Sequence, residues 1–270
     1  MTEPLSLILS TAGSAGLLIL AYMTVWFVVA LVIRRNDIVD IAWGLGFVAV
    51  AVWLFARTGA PLTLRQYVVT ALVTVWGLRL AGHIGARNLK PGKGEDARYA
   101  AWRLEWGKWL VPRAYLQIFL LQGLFMLLIL APVIAAGSVA GPSTLGPLDF
   151  LGLAVWLFGY FFEAVGDAQL ASFLSESANR GHIMDRGLWS WTRHPNYFGE
   201  SVMWWGIAII ALSVPGGWIG LLSPVVITWL LLKVSGVPML EKHFEGRPGW
   251  DAYKARTSAF VPLPPKGRRG

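Results

Sequence analysis

Apolar runs of about twenty residues recur along the chain, separated by shorter polar stretches, and each run is long enough to cross a hydrocarbon core of roughly 30 Å. The pattern predicts seven spans: Leu7 to Ile33, Ile38 to Ala56, Tyr67 to Ile84, Tyr115 to Ala136, Phe150 to Leu170, Phe198 to Val214 and Trp218 to Gly236. All should be helices, because a helix satisfies its own backbone polar groups where lipid offers no partners. Between them lie a tight turn at Arg34 to Asp37, a short loop at Arg57 to Gln66, a long polar stretch from Gly85 to Ala114, and a loop at Gly137 to Asp149 without Lys or Arg. The expected fold class is all-α, a polytopic membrane protein of about seven transmembrane helices. No internal repeat is visible, and Pro262 to Gly270 reads as a frayed basic tail.

Composition agrees with lipid as the solvent. Of 270 residues, 56% are hydrophobic and 14% charged, against roughly 25% charged in an ordinary soluble domain. Residues 1–270 therefore read as a single membrane domain. The first run follows Glu3 without a basic n-region and is too long for a signal-peptide core, so it is expected to remain as a helix. Lys and Arg cluster at Arg34 and Arg35, in the 85–114 segment, at Arg180, Arg186 and Arg193, and after Val237. By the positive-inside rule these clusters put the amino terminus outside and the carboxyl terminus in the cytoplasm. Arg57 and Arg65 run against that assignment. The net charge of +8 sits mainly in these loops, where it sets topology and meets anionic headgroups, so no nucleic-acid partner is expected. The absence of cysteine excludes disulfides and thiolate chemistry, and redox work would need a borrowed cofactor. The fifteen tryptophans are expected mainly as interfacial anchors near helix ends.

Ionisable groups inside spans are costly unless they face a cavity or a partner. Glu163 and Asp167 lie four apart on one face of the fifth span, followed by Gln169. Asn196 and Glu200 lie four apart at the start of the sixth, and Arg79, His83 and Arg87 form a stripe on the third. Pairing between helices would explain any one of them. As a set they converge toward the cytoplasmic face, where a polar ligand could enter. No metal site is expected, because His83, His182, His194 and His243 occur singly. The chain also lacks a Walker loop, a Gly-x-Gly-x-x-Gly fingerprint and a Gly-x-Ser-x-Gly elbow.

The most specific string runs Gly187-Leu188-Trp189, then Arg193-His194-Pro195-Asn196-Tyr197-Phe198-Gly199-Glu200. Pro195 suits the first turn of a helix, and free N–H groups with basic neighbours make a place for an anion there. With Glu163-x-x-x-Asp167-x-Gln169 upstream and Lys242-x-Phe244 to Tyr253 downstream, the string resembles the carboxyl-terminal half of the steroid 5α-reductase family. Asp40 to Phe47 (Asp-x-x-Trp-Gly-x-Gly-Phe) and Gly94 to Tyr99 (Gly-Glu-Asp-x-Arg-Tyr) bring it closer to the bacterial branch of 5α-reductase-like membrane proteins.

That resemblance implies a seven-helix membrane fold that uses NADPH to reduce a carbon–carbon double bond conjugated to a ketone, with residues 138–260 as the cofactor-binding half. It implies a cofactor site built from Arg79, Arg87, Glu163, Asp167, Arg193, His194, Asn196, Tyr197 and Glu200, facing the cytoplasm from a bacterial inner membrane. Glu163 stands where the animal steroid enzymes place an asparagine. Those enzymes grip the substrate ketone with a second-helix acid and a third-helix tyrosine, whose equivalents by spacing are Asp40 and Trp76. Asp40 is then the expected catalytic acid, a carboxylic acid kept neutral by burial, with a salt bridge to Arg79 or Arg35 as the alternative. The expected function is NADPH-dependent reduction of an activated double bond in a steroid-like or other membrane-partitioned lipid. Membrane methyltransferases of the isoprenylcysteine and phospholipid type carry a similar Arg-His-Pro-x-Tyr string and bind S-adenosylmethionine, which gives a second expectation. A non-catalytic lipid-binding or transport protein is the third.

Overall fold

A computed structural model describes residues 3–57 and 62–265. Residues 58–61 of the expected Arg57 to Gln66 loop and residues 266–270 of the expected basic tail lie outside the described residues. Among the described residues, nine helices of seven residues or more follow one another: α1 Glu3–Ile33, α2 Asn36–Ala56, α3 Leu64–Asn88, α4 Ala97–Ile129, α5 Ala131–Ser138, α6 Pro147–Ser175, α7 Pro195–Ala211, α8 Gly217–Phe244 and α9 Trp250–Arg256. Among the described residues there is no strand, and an isolated parallel bridge joins Thr192 to Ser258. The protein is an all-α polytopic membrane protein.

Six helices among the described residues are long and apolar enough to cross a membrane, α1 to α4, α6 and α8. The span expected at Phe198 to Val214 corresponds to α7, which has 17 residues and measures about 25 Å at 1.5 Å per residue. The stretch expected to be polar from Gly85 to Ala114 is helical over much of its length. α3 continues to Asn88, and α4 starts at Ala97 with the Asp96 side chain accepting from the Arg98 N–H as its cap. α4 turns π-helical over Ala114–Leu120, and α8 does the same over Leu230–Val234.

The chain forms two compact units, one of residues up to Asp149 with Ile210–Leu222, the other of Phe150–Ile209 with the residues from Ser223 onward. In the first unit, α1 buries a single stripe, Ile8, Thr11, Ala15, Ile19, Met23 and Ala30, and leaves apolar side chains such as Leu17 and Val32 exposed. An apolar surface of this extent suits lipid rather than water. α2 and α3 cross backbone to backbone at Gly44 and Gly77, where a Cβ on either would come within 2.6 Å of the other's carbonyl oxygen.

Arg65 and Asp149, both buried, are joined by two hydrogen bonds of 2.7 and 2.8 Å. Arg65 Nη1 also donates to the Pro142 carbonyl, so α3 fastens the loop before α6. One of the two charges that opposed the positive-inside assignment, Arg65, is thus neutralised inside the unit.

In the second unit, α6 and α7 run antiparallel along a ladder of glycines seven residues apart. Gly152 faces Gly206, Gly159 faces Gly199 and Met203, and Gly166 faces Pro195 and Asn196. At Gly159 and Gly206 an added Cβ would lie 2.6 Å from a carbonyl oxygen of the opposite helix. Six of the fifteen tryptophans, Trp76, Trp106, Trp156, Trp189, Trp204 and Trp250, are core residues, which corrects the anchoring expectation for these. Trp189 shows why: its indole N–H donates to the Gly166 carbonyl at 2.9 Å, satisfying its one polar atom.

Candidate functional site

Two polar clusters stand out, one in each unit. In the second unit the glycine ladder brings α6 and α7 close enough for their polar residues to meet. Gly199 packs against Glu163, which is 2% exposed, and one turn on, Asn196 Nδ2 donates to Asp167 Oδ1 at 3.1 Å. Asn196 Oδ1 in turn accepts the Tyr197 N–H at 3.0 Å, which fixes the side chain at the helix start. Asp167 is buried, and Glu200 and Tyr197 are half-buried. Gln169 Oε1 accepts the Leu188 N–H at 3.0 Å, tying the Gly187 turn to α6; Gly187 has φ +59°, and a Cβ there would strike the Gln169 amide.

Arg193 and His194 are engaged elsewhere. The Arg193 guanidinium donates to Glu241 at 2.9 and 2.7 Å and to the carbonyls of Lys254 and Thr257 at 3.1 and 2.5 Å. His194 Nε2 lies 3.3 Å from the same Glu241 oxygen, and its ring stacks on Tyr197. These bonds clamp the end of α8 and the segment after it onto the residues that lead into α7. The Arg193 N–H to Ser258, the Leu263 N–H to Trp191, and the Tyr253 hydroxyl to Trp189 at 2.6 Å extend the clamp. Burial holds the Tyr253 hydroxyl neutral, above the ordinary phenol range. Arg193 thus holds the carboxyl-terminal segment, while His194 Nδ1 is buried without a partner among the described residues.

In the first unit the two family-like segments of the sequence fold onto each other in a constant register. The Asn36 N–H donates to Glu95 at 2.5 Å, the Asp96 N–H donates to Asp37 at 3.1 Å, and the Tyr99 hydroxyl donates to Asp40 Oδ1 at 2.6 Å. Arginines complete the clasp: Arg35 on Asp37, Arg103 on Glu95, and Arg98 on both Asp96 and Asp40, the last at 3.1 Å. Burial pushes the Asp96 carboxyl up, but the side-chain and backbone bonds from Arg98 outweigh it and hold it below the ordinary carboxylate range. The bond to Asp37 holds Arg35 above its ordinary value. Asp40 is therefore salt-bridged to Arg98. Tyr99, buried against it, was missed because its partner lies 59 residues away; the Gly94 to Tyr99 string was its only signal in the sequence.

Arg79 is half-buried on α3, and Arg87 is exposed, with Nε on Asn88 Oδ1 at 3.1 Å. The structure brings together Glu163, Asp167, Asn196, Tyr197 and Glu200 in the second unit, whereas Asp40, Arg79 and Arg87 belong to the first. No group of three metal-ligating side chains occurs among the described residues.

Residues 26–257 match the family described as "Protein of unknown function (DUF1295)". An uncharacterized protein of Schizosaccharomyces pombe is 24% identical, the match covering 56% of this chain and 50% of that protein. The chain thus spans about half the length of the curated relative it matches. No solved structure matches it.

Proposed function

The chain belongs to the DUF1295 family, whose members are steroid 5-alpha-reductase-like membrane proteins, and from that premise we propose that it is an NADPH-dependent reductase of an activated double bond in a membrane-partitioned lipid. The observation that carries the reading is the cluster of polar side chains at the start of α7. Asp167 and Asn196 are hydrogen-bonded there, beside buried Glu163 and the half-buried Glu200.

The chemistry of these groups fits part of the cofactor. Carboxylates and an amide accept hydrogen bonds from ribose hydroxyls and from a carboxamide, and the unpartnered His194 Nδ1 offers a further polar contact. Phosphates need cations, and Arg193 is already bonded to Glu241; Arg180 and Arg186, exposed in the same unit, are the residues that would hold them. When bound, NADPH supplies the hydride. The chain's own part is to orient it and to stabilise charge on the substrate oxygen.

The cofactor face is assigned to the cytoplasm of a bacterial inner membrane, with the amino terminus outside. Neutralisation of Arg65 by Asp149 removes one of the two charges that opposed this orientation.

The acid-rich side chains around α7 also favour a second reading, an S-adenosylmethionine-dependent methyltransferase, because that ligand is cationic at sulfur and amine. Equilibrium binding of NADPH and of S-adenosylmethionine to the purified protein separates the two. Glu200→Gln should weaken NADPH binding strongly while the folded fraction stays intact. Saturable binding of S-adenosylmethionine with none of NADPH would overturn the reductase reading.

A further inference from the structure

In the first unit, α4 is longer than the membrane it enters. Ala97–Ile129 would measure about 50 Å at 1.5 Å per residue, against a hydrocarbon core of roughly 30 Å. The stretch from Leu110 to Ile129 fills that core by itself, and the helix is interrupted just before it at Gly107, whose φ of +46° and ψ of −120° suit glycine. Residues 97–106 therefore lie outside the core. They rest on the ends of two other spans: Arg103 Nη2 donates to the Arg34 carbonyl, just past α1, at 3.0 Å, and Tyr99 and Arg98 hold Asp40 in the first turn of α2. Tyr99, Trp102 and Trp106 form the inward face, with the two tryptophan rings stacked at 5.6 Å. Arg98 and Glu105, both exposed and seven residues apart, share one flank. Leu104 stands about 100° around the helix from Glu105 and is 85% exposed.

One exposed leucine would mean little, but Leu104 belongs to a band. Val32 at the end of α1 is 77% exposed and Trp109 beyond the break 59%, and Val111 and Leu116 carry apolar surface on into the span. The band continues the lipid-facing surface of α1 and α4 to the height at which both leave the core. The charges of the region are sorted along with it. Arg35, Arg98 and Arg103 are matched to carboxylates, whereas Arg34, Lys108 and Arg113 are exposed with no acid against them among the described residues. Glu105 lacks a cation in turn, and the balance is positive. We propose that residues 97–113 form an interfacial elbow that binds anionic phospholipid: Leu104 and Trp109 enter the acyl boundary, and Arg34, Lys108 and Arg113 meet headgroup phosphates. Tryptophan is favoured at that depth because its ring is apolar and its N–H stays wet. The unmatched cations supply selectivity for anionic over zwitterionic lipid, about fivefold for each, the equivalent of about 1 kcal/mol. The same helix carries Tyr99, Arg98 and Arg103, so seating it in the leaflet also holds their bonds to Asp40 and Glu95 in place.

The chain has no cysteine, so a single Leu104→Cys carries an environment-sensitive fluorophore without background. In nanodiscs, bromine-labelled phospholipid should quench it and aqueous iodide should not, while the same fluorophore at Glu105→Cys should respond the opposite way. Bromine-labelled phosphatidylglycerol should quench the position-104 fluorophore at a mole fraction about fivefold or more below that needed with bromine-labelled phosphatidylcholine. The preference should shrink with salt and should vanish when Arg34→Gln, Lys108→Gln and Arg113→Gln are combined. Quenching by iodide at position 104, as for a face turned to water or covered by a soluble partner, would overturn the proposal. Equal quenching by the two lipids would overturn it too, as would a preference that the combined substitution leaves intact. If Leu104→Cys does not fold, Trp109→Cys carries the fluorophore and is read by the same outcomes.

Discussion

Replacing Gly159 with alanine tests the glycine ladder that assembles the second unit's polar cluster. A Cβ at Gly159 would lie 2.6 Å from the Gly199 carbonyl oxygen and 2.7 Å from the Met203 nitrogen, against a resting separation of roughly 3.5 Å. Both obstacles are backbone, so no rotamer change relieves them, and α6 and α7 must part by about 0.5–1 Å. Overpacking of this kind costs about 1–3 kcal/mol. The control is Gly82→Ala on α3, which meets nothing within 4 Å and should gain up to about 1 kcal/mol from helix propensity. Propensity is common to both substitutions, so Gly159→Ala should unfold about 1–3 kcal/mol more easily than Gly82→Ala. That is a gap of several degrees in a thermal melt, at about 2–4 °C per kcal/mol. The same parting would stretch the 3.1 Å bond between Asn196 and Asp167 toward the limit of a hydrogen bond, so on the proposed reading NADPH affinity should fall with stability. Equal melting of the two variants would refute the close backbone packing inferred for Gly159.

Breaking the buried Arg65–Asp149 pair by Asp149→Asn should destabilise the protein by about 3–5 kcal/mol; replacing both partners with Met and Leu should recover most of it, measured by thermal melts in detergent. The depressed Asp96 carboxyl adds stability that is fully present above about pH 4 and disappears as pH falls through its lower folded value. Asp96→Asn should therefore flatten the acid limb of a stability profile and leave neutral pH less stable. Single cysteines at Lys93 and Ser143 should label from opposite sides of the membrane, cytoplasmic and outer respectively; both positions are exposed, whereas a side chain at Gly141 would strike Arg65. Labelling of both from one side would end the proposed orientation.

The sequence alone determined the solvent and most of the helices, because apolar run length and helical periodicity are local properties. It also marked Glu163, Asp167, Asn196 and Glu200 as companions, since i, i+4 spacing places side chains on one face without reference to the rest of the fold. The heptad of glycines at 152, 159 and 166 was equally readable, but its meaning depended on Gly199 and Gly206 lying opposite. Tertiary structure alone decided the partners of every charge that matters. Nothing in the local sequence shows that Arg193 meets Glu241, 48 residues later, or that Arg98 and Tyr99 meet the two oxygens of Asp40. The physical reason is that an ionisable group inside a membrane is costly unless paired. Its state is therefore set by which side chain the fold delivers to it, and that lies outside any local pattern.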